Sequence, residues 1–248
     1  MGRELTRGFL RNGLGPRLLR DQAKPRARRS RKSGVSFALR SAPALAADGD
    51  RSLARLVTIA YGTLGAVGAV LAYFFAGGRP LEHPRPWLDW PLLARMPLSI
   101  ALGVAFAFAI VLLTRFTVLR YRWAQRLHLE LQPVARRFGP KEIWLVAVLS
   151  SLGEELFFRS FLVPTIGLVV STLLFGFLHQ VRGPSRWVWA AWAGAVGLGL
   201  GALFVATGSV LGPVVAHALI NGTNLGFLKT HDIVGRDDEL ERADVSAT

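Results

Sequence analysis

The sequence predicts an all-α membrane protein, a polytopic helix bundle of about six transmembrane helices. Three observations carry that expectation. The 248 residues are 51% hydrophobic with a mean hydropathy of +0.36, which is high for a soluble domain and ordinary for a helical membrane protein. The apolar residues gather into six runs, at 56–76, 97–114, 142–163, 165–180, 187–206 and 209–228, most of them near the ~20 residues of helix that cross hydrocarbon. The net charge of +14 lies mainly before and between those runs, so it reports membrane orientation and not a nucleic-acid partner.

In chain order, residues 1–50 come first, with twelve Lys/Arg against four acids, few large apolar residues and the dense basic run KPRARRSRK. That composition predicts a disordered cytoplasmic arm. A signal peptide is the rival, since SAPALAAD offers small residues for cleavage, but Arg40 interrupts its short apolar stretch. The transmembrane domain is expected over 51–230. Its segment 77–96 is rich in Pro and Trp (HPRPWLDWP) and suits a membrane–water interface. Residues 115–141 read as a basic loop, with Arg115, Arg120, Arg122, Arg126, Arg136, Arg137 and Lys141.

With six spans, that loop, the basic arm and Arg182/Arg186 fall on one side, against Arg79, Arg85 and Arg95 on the other. The positive-inside rule then puts both termini in the cytoplasm, in a bacterial inner membrane. Small residues four apart (Ala193, Gly197 and Gly201; Thr58 with Gly62; Gly65 with Ala69) predict close helix contacts. The tail 231–248 is polar and net acidic, and is expected to be disordered. There is no cysteine, which excludes disulfides, a thiolate nucleophile and a zinc–thiolate site.

The third run holds what an apolar span should not. Glu154, Glu155 and Arg159 lie inside EIWLVAVLSSLGEELFFRSFL, and charges at membrane depth are expensive and rarely kept without a use. Glu155 and Arg159 stand four apart on one helical face, acid before base, the favourable pairing order. Glu154 lies roughly 140° round an α-helix from Arg159. One glutamate can therefore be neutralised while the other stays free. Two further runs supply partners at the same spacing, Phe175 with His179 and His217 with Asn221, and Asn224 continues the last stripe. Between Trp144 and Lys229 the only carboxylates are Glu154 and Glu155, and the only histidines are His179 and His217. The site is expected among the last four helices.

Read from residue types alone, this set admits several functions. A carboxylate and a histidine can hold a water and take its proton. Glu154, His179 and His217 also make a two-histidine, one-carboxylate set that could bind Zn²⁺, although there is no HExxH motif and Asn221 is a poor ligand. Glu/His chains also mark proton-coupled transport, and a non-catalytic membrane scaffold or immunity protein would keep the pocket for binding.

Glu154-Glu155-xxx-Arg159, Phe175-xxx-His179 and His217-xxx-Asn221 resemble the three motifs of the CPBP family of intramembrane endopeptidases. That family includes the eukaryotic CAAX prenyl endopeptidase and bacterial proteins tied to bacteriocin processing and self-immunity. The resemblance covers roughly residues 140–228. It implies a glutamate-activated water without metal or other cofactor, with Glu154 catalytic, His179 its partner, and His217 and Asn221 stabilising the oxyanion. Glu155 and Arg159 would support the site, and Phe175 would pack it. The implied partners are membrane lipid and a membrane-associated protein or peptide substrate, with no nucleic acid. One geometrical difficulty stands: Glu154 is thirteen residues past Lys141, about 20 Å along a helix, while His179 is only three residues before Arg182.

Overall fold

The computed structural model describes residues 35–88, 90–181 and 183–233, with the backbone alone over 35–54 and at Leu92. The basic arm up to residue 34 and the acidic tail from 234 lie outside the described residues. The chain divides into two units, residues 1–43 and Ala44–Thr248. The first is described only as helical backbone from Val35, and the second is the bundle.

The bundle is all-α. Its helices are α1 (Val35–Phe75), α2 (Leu92–Arg120), α3 (Arg122–Ala135), α4 (Pro140–Glu154), α5 (Val163–Ile166), α6 (Leu168–Leu178), α7 (Arg186–Thr207) and α8 (Leu211–Thr230). Between α4 and α5 the helix continues unbroken as a π-helical stretch, Glu155–Leu162. Each of the six apolar runs falls on this helical framework. Arg55–Phe75, Leu93–Arg120 and Arg186–Thr207 are long and apolar enough to cross a membrane, and Leu168–Leu178 is a shorter apolar helix.

Local chemistry sets the ends. Pro140 opens α4 where its missing N–H costs nothing, and the Glu142 carboxylate accepts the Gly139 N–H at 2.7 Å. Gly167, at φ +86°, separates α5 from α6. The outward faces are apolar, with Phe74, Phe108, Leu119, Leu173 and Phe177 all exposed, while Ser150, Ser151, Glu155, Arg159 and His217 are buried. Polar groups inside and hydrocarbon outside is the arrangement a lipid solvent selects.

Close backbone approach holds the layers. A Cβ on Gly153 would stand 2.5 Å from the Tyr61 carbonyl oxygen, and one on Gly68 would stand 2.6 Å from the Phe157 nitrogen. Thus α1 lies directly on α4 and the π-helical stretch. Gly65 meets Gly153 as its spacing predicts, but Gly62 has nothing within 4 Å. Helices α2 and α8 run parallel in contact, Ser99 with Gly212 at one end and Arg115 with Asn224 at the other. At the first of these ends, residues 77–91 fold over the α7–α8 turn. There Trp87 N–H donates to Val205 O (2.8 Å), and Val210 N–H donates to Leu81 O (3.1 Å).

The basic loop expected over 115–141 is instead the end of α2 and the whole of α3. Buried Ala124, Leu127, His128 and Ala135 recur at helical spacing, while Arg122, Arg126 and Arg136 face outward. Lys/Arg content signalled a loop, but the apolar period within it is that of an amphipathic helix lying across the bundle. The extended backbone of Tyr121 (φ −122°, ψ 130°) makes the corner. Glu130 of α3 accepts hydrogen bonds from the Ser185 hydroxyl (2.7 Å) and N–H (3.3 Å), which ties down the turn after α6. Since α6 has only eleven residues, it ends at the level of Glu154. The short α6 thus brings His179 to Glu154 just before the chain turns toward α7.

Candidate active site

Glu154 is the last residue of α4, and Glu155 begins the π-helical stretch. In that stretch the hydrogen bonds run i→i+5, a rare geometry that tends to occur at functional sites. The α-helical wheel angle between Glu154 and Arg159 does not apply across it. The two glutamates nevertheless take different partners.

Glu155 is fully buried and holds two groups. Its Oε2 lies 3.1 Å from Arg159 Nε, and its Oε1 accepts from His217 Nδ1 at 2.8 Å. Arg159 is buried as well. It donates from Nη2 to the Gly197 carbonyl (3.0 Å), and its guanidinium lies 4.3 Å over the Phe175 ring. Gly197 is required there, because a Cβ would fall 2.7 Å from the Phe175 ring. Phe175 also packs edge-on against Phe158 and lies 4.2 Å from the His179 ring, centroid to centroid.

Glu154 faces the two histidines. His179 Nε2 is 3.4 Å from its Oε2, and His217 Nε2 is 3.9 Å from the same oxygen. These are charge contacts and not aligned hydrogen bonds, and Oε2 makes none with the described protein groups. Each histidine is oriented through its other nitrogen. Nδ1 of His179 bonds the Phe175 carbonyl at 2.7 Å, and a carbonyl only accepts, so Nδ1 carries hydrogen. Nδ1 of His217 bonds Glu155 in the same sense. Both Nε2 atoms are thereby aimed at one carboxylate oxygen. Among the described residues, no group of three or more His, Cys, Asp or Glu is placed to hold a metal ion.

Asn221 lies one turn along α8 from His217, and its Nδ2 donates to Ser150 Oγ at 3.4 Å. It lines the same cavity as Glu154, His179 and His217. That cavity measures about 300 Å³, the low end for ligand sites, and reaches from the glutamate to the α3 end, where Trp123, His128, Arg115 and Phe227 line it. Asn224 accepts there from Arg115 Nη1 at 2.9 Å.

Sequence reasoning did not anticipate the Glu155–His217 bond, nor two of the lining residues. Tyr61 of α1 faces Glu154, and Ser150 holds Asn221. The bond and the Tyr61 contact depend on which helices cross, which spacing within one helix does not reveal. Ser150 could have been found, being one turn before Glu154 and polar in an apolar run.

Residues 140–223 match the family model described as type II CAAX prenyl endopeptidase Rce1-like. No curated protein and no solved structure matches the chain. The matched residues contain Glu154, Glu155, Arg159, Phe175, His179, His217 and Asn221, so the buried cluster lies within the stretch that is similar to an Rce1-like domain, a likeness consistent with the CPBP intramembrane protease family.

Proposed function

We propose that the chain is an intramembrane endopeptidase of glutamic type, hydrolysing a peptide bond in a membrane-associated protein or peptide. The observation that carries this reading is the convergence of two histidine Nε2 atoms on Glu154 Oε2, at 3.4 and 3.9 Å, inside a cavity.

The chemistry follows from proton bookkeeping. Two carboxylates against one guanidinium leave the buried cluster one positive charge short of neutrality, and unbalanced buried charge is costly. One proton shared by the two histidines closes it. His217 donates from Nδ1 to Glu155, which leaves its Nε2 to serve the cavity. Glu154, left ionised beside His179, takes a proton from water as the water oxygen attacks the peptide carbonyl. The oxyanion then forms where His217 Nε2 and Asn221 Nδ2 can donate to it. Collapse breaks the C–N bond, and Glu154 returns its proton to the departing amine. Arg159, Glu155 and Phe175 keep the π-helical stretch and His217 in position. No serine, threonine or cysteine nucleophile takes part, and no step calls on a metal.

The same reading places the chain in a bacterial inner membrane with both termini cytoplasmic, so that α3 lies on the cytoplasmic side. Comparison of membrane proteomes from cells carrying wild type or Glu154→Gln tests the activity. Polypeptides shortened only with wild type support it. If none changes length, proton-coupled transport or a binding role replaces it.

A further inference from the structure

Tyr61 is a polar side chain of α1 that the chemistry above does not use, and it lies outside residues 140–223, the stretch similar to the protease family. Its place is set by the backbone. Gly153 has no side chain, so α1 lies directly on α4 at that point. A Cβ on Gly153 would stand 2.5 Å from the Tyr61 carbonyl oxygen and 3.3 Å from the Tyr61 Cα. Two further glycines, Gly65 against Gly153 and Gly68 against Phe157, continue the seam along the same face of α1. The crossing of the two helices is therefore fixed one residue before Glu154.

From that crossing the Tyr61 side chain lines the cavity, together with Glu154, His179 and His217. Glu154 is the described carboxylate that its phenol faces. A phenol inside an apolar bundle needs a partner for its O–H, and an ionised carboxylate only accepts. Glu154 needs a donor as much. Its Oε2 makes no aligned hydrogen bond with the described groups, the histidine nitrogens standing at 3.4 and 3.9 Å. Charge contacts of that length attract a carboxylate without fixing its rotation about the last side-chain bond. A donor reaching it from a third direction supplies what is missing.

We infer that Tyr61 is a positioning residue for the catalytic glutamate: its phenol donates a hydrogen bond to Glu154 and holds the carboxylate in line with the attacking water. This rests on the protease reading above. It makes α1 part of the active site, although the stretch resembling the family begins at residue 140. The bond has a second effect. A peptide filling the cavity expels water, and burial alone favours a protonated, inactive carboxyl; a hydrogen bond donated to the charged form opposes this.

The test uses purified full-length protein in detergent micelles. The probe is a pool of N-hexadecanoyl peptides of randomised sequence, with products read by mass spectrometry, and kinetics are taken on the peptide that wild type cuts fastest. Tyr61→Phe keeps the ring and the α1–α4 seam and removes only the donor. It should lower kcat about ten- to a hundredfold, the scale of a hydrogen bond to a charged group, with KM and melting temperature near wild type. The acid limb of its kcat profile should also move up by about one pH unit, because the charged form of Glu154 has lost a donor. The other charged or titratable groups facing Glu154 are His179 from α6, His217 from α8 and Arg159 from the π-helical stretch, and the substitution leaves all three in place. Tyr73→Phe, on the exposed side of the same helix, should change nothing.

A kcat unchanged in Tyr61→Phe overturns the assignment while leaving the protease intact. A lower kcat with an unmoved acid limb makes Tyr61 a packing residue, and a raised KM at unchanged kcat makes it a substrate contact; either result also overturns it. Should Tyr61→Phe melt well below wild type, the acid limb still decides, since loss of folded protein scales the profile without shifting it. Failure of wild type to cut any peptide of the pool counts against the protease reading itself.

Discussion

Replacing Glu155 by glutamine keeps the size of the side chain and removes one charge from the most deeply buried pair in the bundle. Glu155 is 0% exposed and Arg159 2%, so solvent screens neither. Arg159 would keep its hydrogen bond to Gly197 and the face of Phe175, but no counter-charge at 3.1 Å. Stranding a buried charge in this way costs about 3–5 kcal/mol. At ~2–4 °C per kcal/mol for a domain of this size, the melting temperature should fall by about 10 °C. Thermal unfolding in detergent by intrinsic tryptophan fluorescence measures it, with Glu154→Gln as a control expected to melt near wild type. Glu155→Gln with Arg159→Met removes both charges and should recover much of the loss, which a double-mutant cycle reads as coupling. From spacing alone, Glu155 is expected to matter chiefly for stability, with activity following. The 2.8 Å bond to His217 Nδ1 changes that expectation. The double variant should remain slow even where its stability returns, because His217 has lost the carboxylate that orients it. A Glu155→Gln protein melting within ~2 °C of wild type would refute a buried ion pair at this position.

Three further outcomes follow from the geometry. Cleavage that needs no metal should survive strong chelation, whereas loss with chelator and specific recovery with Zn²⁺ would make His179 and His217 ligands. Gly153→Ala forces a Cβ to 2.5 Å from the Tyr61 carbonyl and should cost about 1–3 kcal/mol in thermal unfolding, while Gly62→Ala, with nothing within 4 Å, should be neutral or stabilising. Burial holds the His128 imidazole below its ordinary value of 6.5, against the opposing hydrogen bond to the His231 carbonyl. The folded state therefore refuses a proton that the unfolded chain accepts, and stability present above pH 6.5 is lost as pH falls toward the folded value. His128→Gln should flatten the dependence of melting temperature on pH between 7 and 5, and an unchanged slope would count against it.

The parts of this molecule legible in its sequence are those that lipid makes conspicuous. Glu154, His179 and His217 stand out because an ionisable group in an apolar run has few innocent explanations, and the helical period placed each with its neighbour. Residues 122–135 misled for the opposite reason. Charge was counted before period, and an amphipathic helix on a bundle surface carries as many arginines as a loop. The π-helical stretch had no signature in residue type, since ELFFRSFL would also form an ordinary α-helix. The Glu155–His217 bond belongs to the crossing of two helices 62 residues apart in sequence, and only their packing discloses it.

The segment 77–91, folded over the α7–α8 turn, has a consequence for the cell's energy supply. The cavity stops at the level of Tyr61, Glu154 and His217 and none of its lining comes from that segment. Between them lies a packed layer in which Ser99, Thr207 and Ser209 satisfy one another. In the membrane orientation proposed above, a voltage worth about 2.3 kcal/mol per charge per 100 mV would drop across that layer. Such a blind-ended shaft can hold water without short-circuiting the proton gradient. On the orientation proposed above, acid applied only to the face opposite α3 in sealed vesicles should leave cleavage unchanged.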